Sequence, residues 1–244
     1  MNIYRIADFC VRVENIPAPV AARMAAYRIG PDAAAAIDLF IDGDTLSVAE
    51  LEKNAAAEGV TDKNELIFLE VYRRICAYAL AHDAFLMHCA VIEYEGRGYA
   101  FSAPSGTGKS THVKLLKQLL GDDLTYINDD KPFVRVIDGK IYVYGSPWSG
   151  KHRRGNNIRA ELKAITILLR GETNKVEKID PADALDVLFR QTYRPEGETA
   201  ALNAADILTD MLDNCDFYKL WCNISEEAAK TSFRYILKEE SDEN

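Results

Sequence analysis

The sequence predicts an α/β protein, a mixed β-sheet core built around a phosphate loop with a small β-rich addition at its N-terminus. Three observations predict it. A glycine-rich loop, Ala103–Thr111, stands between a strand-like run and a helical run. The run entering that loop follows another strand-like run across Glu95-Gly96-Arg97-Gly98 alone, whose two glycines suit a tight hairpin turn, so the entering strand is antiparallel to its predecessor. Ahead of both lies an alternating stretch from Ile3 to Val13, the mark of half-buried strands.

Taken in order, residues 1–62 read as a separate β-rich module. They hold the alternating stretch, Pro17 and Pro19, an alanine-rich piece, and Ala36 to Asp42 ending at Asp42-Gly43-Asp44. Residues 63–244 read as the nucleotide-binding domain. From Glu65 to Leu80, apolar Leu66, Leu69, Tyr72, Ile75, Cys76 and Ala79 recur at helical spacing. Phe85 to Tyr94 and Tyr99 to Ser102 are the hairpin strands, and Lys109 to Leu120 is a helix with Val113, Leu116 and Leu120 inward, closed by Gly121. Strands follow at Leu124 to Asn128, Phe133 to Val136, Lys140 to Tyr144 and Ala164 to Arg170. Helices at Pro181 to Phe189 and Ala200 to Leu212, a strand at Phe217 to Trp221 and a helix at Glu226 to Lys238 complete the chain, with Ser241 to Asn244 as a charged, frayed tail.

The 244 residues are enough to bury a core without a covalent staple. Five cysteines, scattered and without C-x-x-C spacing, suggest neither a disulfide framework nor a zinc site. With no signal-like start and no long apolar run, the expected compartment is the cytoplasm and no membrane contact is expected. A net charge of -9 speaks against nonspecific nucleic-acid binding, so a local basic cluster carries more information here.

The loop Ala103-Pro104-Ser105-Gly106-Thr107-Gly108-Lys109-Ser110-Thr111 fits G-x-x-x-x-G-K-[ST], with Ala103 at the first glycine position. Gly106 and Gly108 let backbone N–H groups wrap phosphates, and the N-terminus of the following helix favours their charge. Lys109 reaches β- and γ-phosphate oxygens, and Ser110 suits Mg²⁺. Ser105, Thr107 and Thr111 complete the set of phosphate-binding candidates.

Asp129 and Asp130 close a short apolar strand, which can return them to the loop. One carboxylate could hold Mg²⁺ and the other accept the proton of an attacking hydroxyl; a solvated acidic turn is the plainer alternative. His88, in Met87-His88-Cys89, is either a satisfied core histidine or a residue serving the loop. Gly145 to Gly155 surrounds Trp148 with small residues and carries Lys151, Arg153 and Arg154. It reads as a mobile loop closing on phosphates through Lys151 or an arginine, as a surface for an acidic acceptor, or as a solvated basic face.

These residues resemble the HPr kinase/phosphorylase family and, more distantly, phosphoenolpyruvate carboxykinase. The likeness spans roughly Phe85 to Lys140: a histidine in the first hairpin strand, Ser-Gly-Thr-Gly-Lys-Ser in the loop, and Asp-Asp after a helix and a strand. Stand-alone HPr-kinase-related proteins have a loop similar to Trp148–Lys151. The resemblance implies the mixed phosphate-loop sheet of that family, and ATP with Mg²⁺ as the ligands. It also implies that His88 assists or orients, Lys109 binds phosphate, Ser110 binds Mg²⁺, and Asp129 acts as base toward a serine hydroxyl with Asp130 beside it, which leaves Asp130 as the carboxylate to hold Mg²⁺ with Ser110.

The family's glutamate-arginine-glycine signature is missing, and Ser146 to Arg154 occupies that stretch, which speaks against phosphorylase activity and against HPr as the substrate. The expected activity is transfer of the γ-phosphoryl group of ATP to a hydroxyl of a peptide, a protein or a small molecule, foremost a serine. The alternative is a nucleotide-binding regulatory or assembly protein without turnover. Related kinases assemble, so a homo-oligomer agrees with the resemblance, although no seam in the sequence specifies one.

Overall fold

The computed structural model describes residues 2–33, 36–46, 62–193 and 197–239. Part of the alanine-rich piece and the charged tail lie outside them.

Strands β1 (Asn2–Ile6) and β2 (Phe9–Glu14) form a hairpin whose two turn residues, Ala7 and Asp8, take positive φ values of 50° and 65°. That is the backbone a two-residue hairpin turn demands, here supplied without glycine. Pro17 and Pro19 open the short helix α1 (Ala18–Arg23). Strand β3 (Arg28–Ile29) pairs β1, and β4 (Leu39–Asp42) pairs β2 in parallel, giving a four-stranded sheet in the order β3-β1-β2-β4.

Helix α2 (Lys63–Leu80) begins where the Asp62 side chain accepts the Glu65 N–H at 2.9 Å. Its buried surface is broader than the predicted stripe: Leu66, Ile67, Phe68 and Val71 are buried as well as Tyr72, Ile75, Cys76 and Ala79, whereas Leu69 is only half-buried. The reason is that α2 is covered from two directions. One apolar cluster joins it to Tyr4, Ile6, Val11, Val13 and Ile41 of the small sheet, to Phe133 and Tyr144 of the large one, and to Trp148 in the loop beyond Tyr144. Polar ties reinforce the seam: Arg135 donates to the Ala7 carbonyl at 2.7 Å and lies 4.0 Å above the Phe9 ring, and the Tyr144 hydroxyl donates to Asp8 at 2.8 Å.

The run Phe85 to Tyr94 is two strands, β5 (Ala84–Met87) and β6 (Cys89–Tyr94), parted at His88. β6 pairs β7 (Arg97–Ser102), while β5 leaves to pair a later strand, Phe133–Ile137. In the β6–β7 hairpin the positive φ values fall on Glu95 and Gly96, not on Gly98. Gly98 sits inside β7 for a different reason: a Cβ there would meet Val143 Cγ2 at 2.7 Å.

After the phosphate loop come α3 (Lys109–Leu120), β8 (Leu124–Asn128), β9 (Phe133–Ile137), β10 (Lys140–Tyr144) and β11 (Arg159–Arg170). Then follow β12 (Lys175–Lys178), α4 (Leu185–Gln191), β13 (Thr192–Tyr193), α5 (Glu198–Asn214), β14 (Asp216–Cys222) and α6 (Glu226–Ser232), which runs into a π-turn over Phe233–Leu237. The large sheet is ordered β13-β5-β9-β10-β11-β7-β6-β8, with β14 on β11 and β12 on β14. β11 runs parallel to β7 and to β14 while its neighbours pair antiparallel, so the sheet is mixed.

Alternation along β6 sorts the core. Val91 joins the face covered by α4 and α5, while Ala90 and Ile92 join the face covered by α3 and α6. The five cysteines are free thiols, four of them buried. Among the described residues no helix is long and apolar enough to cross a membrane.

Candidate active site at the phosphate loop

Strand register brings the site together. Cys89 pairs Ser102 and Val91 pairs Asn128, so the start of β6 and the ends of β7 and β8 share one edge of the sheet. The residues just beyond those ends are His88, Ala103 and Asp129. Ile167 of β11 also pairs Ser102, which carries Arg170 beyond the same edge.

In the loop, Gly106 and Gly108 have φ values of 77° and 125°, and no heavy atom lies within 4 Å of where a Cβ would stand, so torsion rather than crowding demands glycine. The Gly108 carbonyl accepts the His112 N–H at 2.9 Å and starts the helix. Ala103 is fully buried with Leu168, Leu220, Cys222 and Ala228, which explains a methyl where the motif has glycine. Its carbonyl accepts from Lys109 Nζ at 2.7 Å. Burial lowers the pKa of that ammonium, an effect opposed by the Cys89 thiol and Asp130. Ser110 and Thr111 are exposed at the head of the helix. Arg170 Nη2 donates to the Gly106 carbonyl at 2.6 Å and braces the loop from outside.

Asn128, fully buried, organises the acidic pair. Its Oδ1 accepts from the N–H groups of Asp130 at 2.9 Å and Lys131 at 2.7 Å, turning the chain sharply after β8. Its Nδ2 faces Ser146 O and Oγ at 3.2 Å and Trp148 O at 3.3 Å, fastening the following loop to that turn. Trp148 is no part of a moving lid: it is buried against Phe68, Tyr72 and Phe133, with ring centroids 5.5, 5.0 and 6.5 Å away. Beyond this anchor the Gly150 N–H donates to Asp129 Oδ1 at 2.7 Å, and Lys151, His152 and Arg153 follow at the surface.

The two carboxylates differ. Asp129 is 4% exposed, and among the described residues the Gly150 amide is its one hydrogen-bond partner. For Asp130, burial alone would raise the pKa, but hydrogen bonds from His88 and Lys131 bring it down to about 2. His88 is thus a connector. Its Nε2 lies 3.2 Å from Asp130 Oδ1 and its Nδ1 2.7 Å from Gln191 Oε1, which leaves neither nitrogen free to take a proton from another group.

A cavity of 530 Å³ is lined by His88, Ser105, Gly106, Gly108, Lys109, Ser110, Thr111, Asp129, Asp130, Gly150, Lys151 and His152. Every residue expected to bind phosphate, hold Mg²⁺ or serve the transfer lines it except Thr107. Thr107 faces a second cavity of 340 Å³ on the other flank of the loop, between α3 and the ends of β11 and β14, lined by Thr111, Leu115, Leu168, Cys222 and Ile224 among others. Sequence reasoning missed Arg170 and Gln191, and treated Asn128 as ordinary strand. An asparagine between a strand and two aspartates was the one available signal for the last of these.

No family model matches the chain, and no curated protein matches it. Among solved structures, the Hpr(Ser) kinase/phosphatase from Coxiella burnetii is similar over 39% of this chain and 71% of its own, with 10% identity and a TM-score of 0.29. A superposition of that quality says nothing about chemistry, which has to come from the residues themselves.

Proposed function

We propose that the chain is a kinase that transfers the γ-phosphoryl group of ATP, with Mg²⁺, to a hydroxyl acceptor, foremost a serine of a peptide or protein. The observation that carries this reading is one cavity in which the phosphate loop faces a buried carboxylate, Asp129, with Lys151 alongside. The residues present fit both ligands. Gly106 and Gly108 leave open space where a polyphosphate must lie against backbone, and Ser110 exposes its hydroxyl in the cavity that Asp130, ionised, also lines. Ser110 and Asp130 would hold the Mg²⁺, which when bound supplies positive charge to the phosphate oxygens.

Lys109 leaves the Ala103 carbonyl to meet the β- and γ-phosphates, and Ser105 through Thr111 supply N–H donors at the head of the helix. The apolar cavity flanking Thr107 suits the nucleoside. In the transfer, the acceptor oxygen bonds to the γ-phosphorus and the bond to the β-bridging oxygen breaks, its electron pair leaving on ADP. The hydroxyl proton passes to Asp129, whose Oδ2 has no partner among the described residues while Oδ1 is fixed by Gly150. His88 positions Asp130, and Lys151 offsets charge gathering on the transferred group. Positioning and charge supply most of the rate in such chemistry.

The test combines titration of MgATP into wild type, Lys109→Ala and Asp129→Asn with γ-labelled ATP in cell extract. The kinase reading expects Lys109→Ala to lose binding, and Asp129→Asn to keep binding while label transfer falls by about a thousandfold. Binding by wild type with no acceptor labelled would overturn it in favour of a nucleotide-controlled regulatory protein.

A further inference from the structure

We infer that the acceptor carries a carboxylate or phosphate beside the hydroxyl it presents, and that this anion is held by Arg153 and Lys151 in a pocket walled on its far side by the N-terminal module. The inference rests on the kinase reading above and adds the acceptor's chemistry to it.

A third cavity, of 430 Å³, opens between Ala22–Tyr27 and the turn that follows Trp148. That is the size of sites that enclose small molecules or a single side chain with its neighbours. It shares Gly150 and Lys151 with the phosphate cavity, so one compound can lie in it and reach across to Asp129. Its charge is one-sided. Among the described residues no aspartate or glutamate lines it, in a chain whose net charge is -9. Of its three cations, Arg23 is already matched by Glu65 and lies 3.6 Å from the centre of the Phe68 ring.

Lys151 and Arg153 have no carboxylate partner among the described residues. Arg153 is also held in the left-handed region at φ 49°, a backbone that arginine rarely adopts, its N–H donating to the Gly150 carbonyl at 2.8 Å. A neutral acceptor would leave Arg153 unmatched; an anion is met by its planar guanidinium fork, with the Lys151 ammonium shared between the two cavities.

The test is the rate at which phenylglyoxal modifies Arg153 in the full chain, read by peptide mass spectrometry. The protein is mixed with Mg²⁺ and a non-hydrolysable ATP analogue, and then glycerate, glycerol 3-phosphate or glycerol is added. The three share a carbon skeleton and differ in the anion. The expected result is that at least one of the two anions slows modification of Arg153 by about threefold or more at a concentration twice its dissociation constant. Glycerol should not slow it, and exposed Arg234, which lies outside this cavity, should be unaffected. Protection by glycerol equal to that by the anions, equal slowing at Arg234, or no protection by either anion overturns the inference. Nucleotide binding is measured in the same samples: its failure refutes the kinase reading, whereas Arg153 protection still decides the pocket.

Discussion

Replacing Asn128 with alanine removes the residue that joins the acidic turn to the loop carrying Trp148. Three groups lose their partner: the N–H of Asp130, the N–H of Lys131 and the carbonyl of Ser146. The Trp148 carbonyl still faces the Ser146 hydroxyl at 3.0 Å, which shares its one proton with the nearer Lys131 carbonyl at 2.5 Å. At roughly 1 kcal/mol for each group left unmatched, the cost is about 3 kcal/mol. For a chain of this size that is a fall in Tm of roughly 6–12 °C. Asn128→Asp should be worse than Asn128→Ala. It keeps the acceptor, but turns a carboxylate oxygen toward Ser146 O and Trp148 O and places a third negative charge beside Asp129 and Asp130.

Scanning calorimetry reads the stability, and nucleotide titration with transfer assays reads the site. MgATP binding should survive in Asn128→Ala, because the phosphate loop hangs from other strands. Transfer should drop by about tenfold or more, since Asp129 is no longer held against Gly150. A Tm lowered by less than about 2 °C with transfer intact, or an aspartate variant more stable than the alanine one, would refute the reasoning.

Two further predictions concern the flanks of the loop. Ile224 is 80% exposed at the rim of the apolar cavity, so Ile224→Asp should weaken ATP about five- to tenfold while leaving tripolyphosphate binding unchanged; titration with both ligands checks this, and equal loss of the two would place the nucleoside elsewhere. His112 is buried beside Phe101, its Nε2 2.9 Å from Ser232 Oγ and its Nδ1 without a partner among the described residues, and burial lowers its pKa from 6.5 to about 4. Between those two values the unfolded chain holds more protons than the folded one, so His112 contributes full stability above pH 6.5 and loses it as pH falls toward 4, by about 3 kcal/mol in all. Denaturant unfolding of His112→Leu across that range should show a flatter pH dependence than wild type; matching slopes would sink the assignment.

The phosphate loop was legible because its requirements are local. Two glycines at positive φ, a lysine and a serine need only their own chain neighbours to take shape. The hairpin ahead of it was legible for the same reason, since a short turn sets the register of its two strands. What escaped depends on partners distant in sequence. The break at His88 is invisible in Phe85 to Tyr94, because an unbroken apolar run has the same pattern whether its halves pair one neighbour or two.

Strand β11 begins at Arg159, ahead of the predicted start at Ala164, because Arg159, Glu161 and Lys163 look like loop. In the structure Glu161 is matched by Arg97 and Lys140, and Lys163 by Asp216 and Glu239, residues the local sequence does not show. Trp148 looked like part of a closing loop for a related reason: serine, proline and glycine surround it, while the aromatic rings that bury it belong to α2 and β9.

Gly150 shows why these distant contacts matter to chemistry. It is the last fixed point before the cations, and its N–H donates to the Asp129 carboxylate at 2.7 Å. A Cβ there would stand 3.4 Å from both carboxylate oxygens and from the Asp130 Cβ, in van der Waals contact with the acidic pair. The same residue lines both the phosphate cavity and the acid-free cavity beside the N-terminal module. Its position is set from two sides, by Asn128 through Ser146 and by Trp148 packed on α2. Helix α2 is in turn cemented to the small sheet by the apolar cluster they share. The small N-terminal sheet therefore bears on Asp129 through the packing of α2 as well as through polar ties: a core substitution such as Val11→Ala, distant in sequence from the phosphate loop, would loosen the wall on which Trp148 rests before it disturbed that loop.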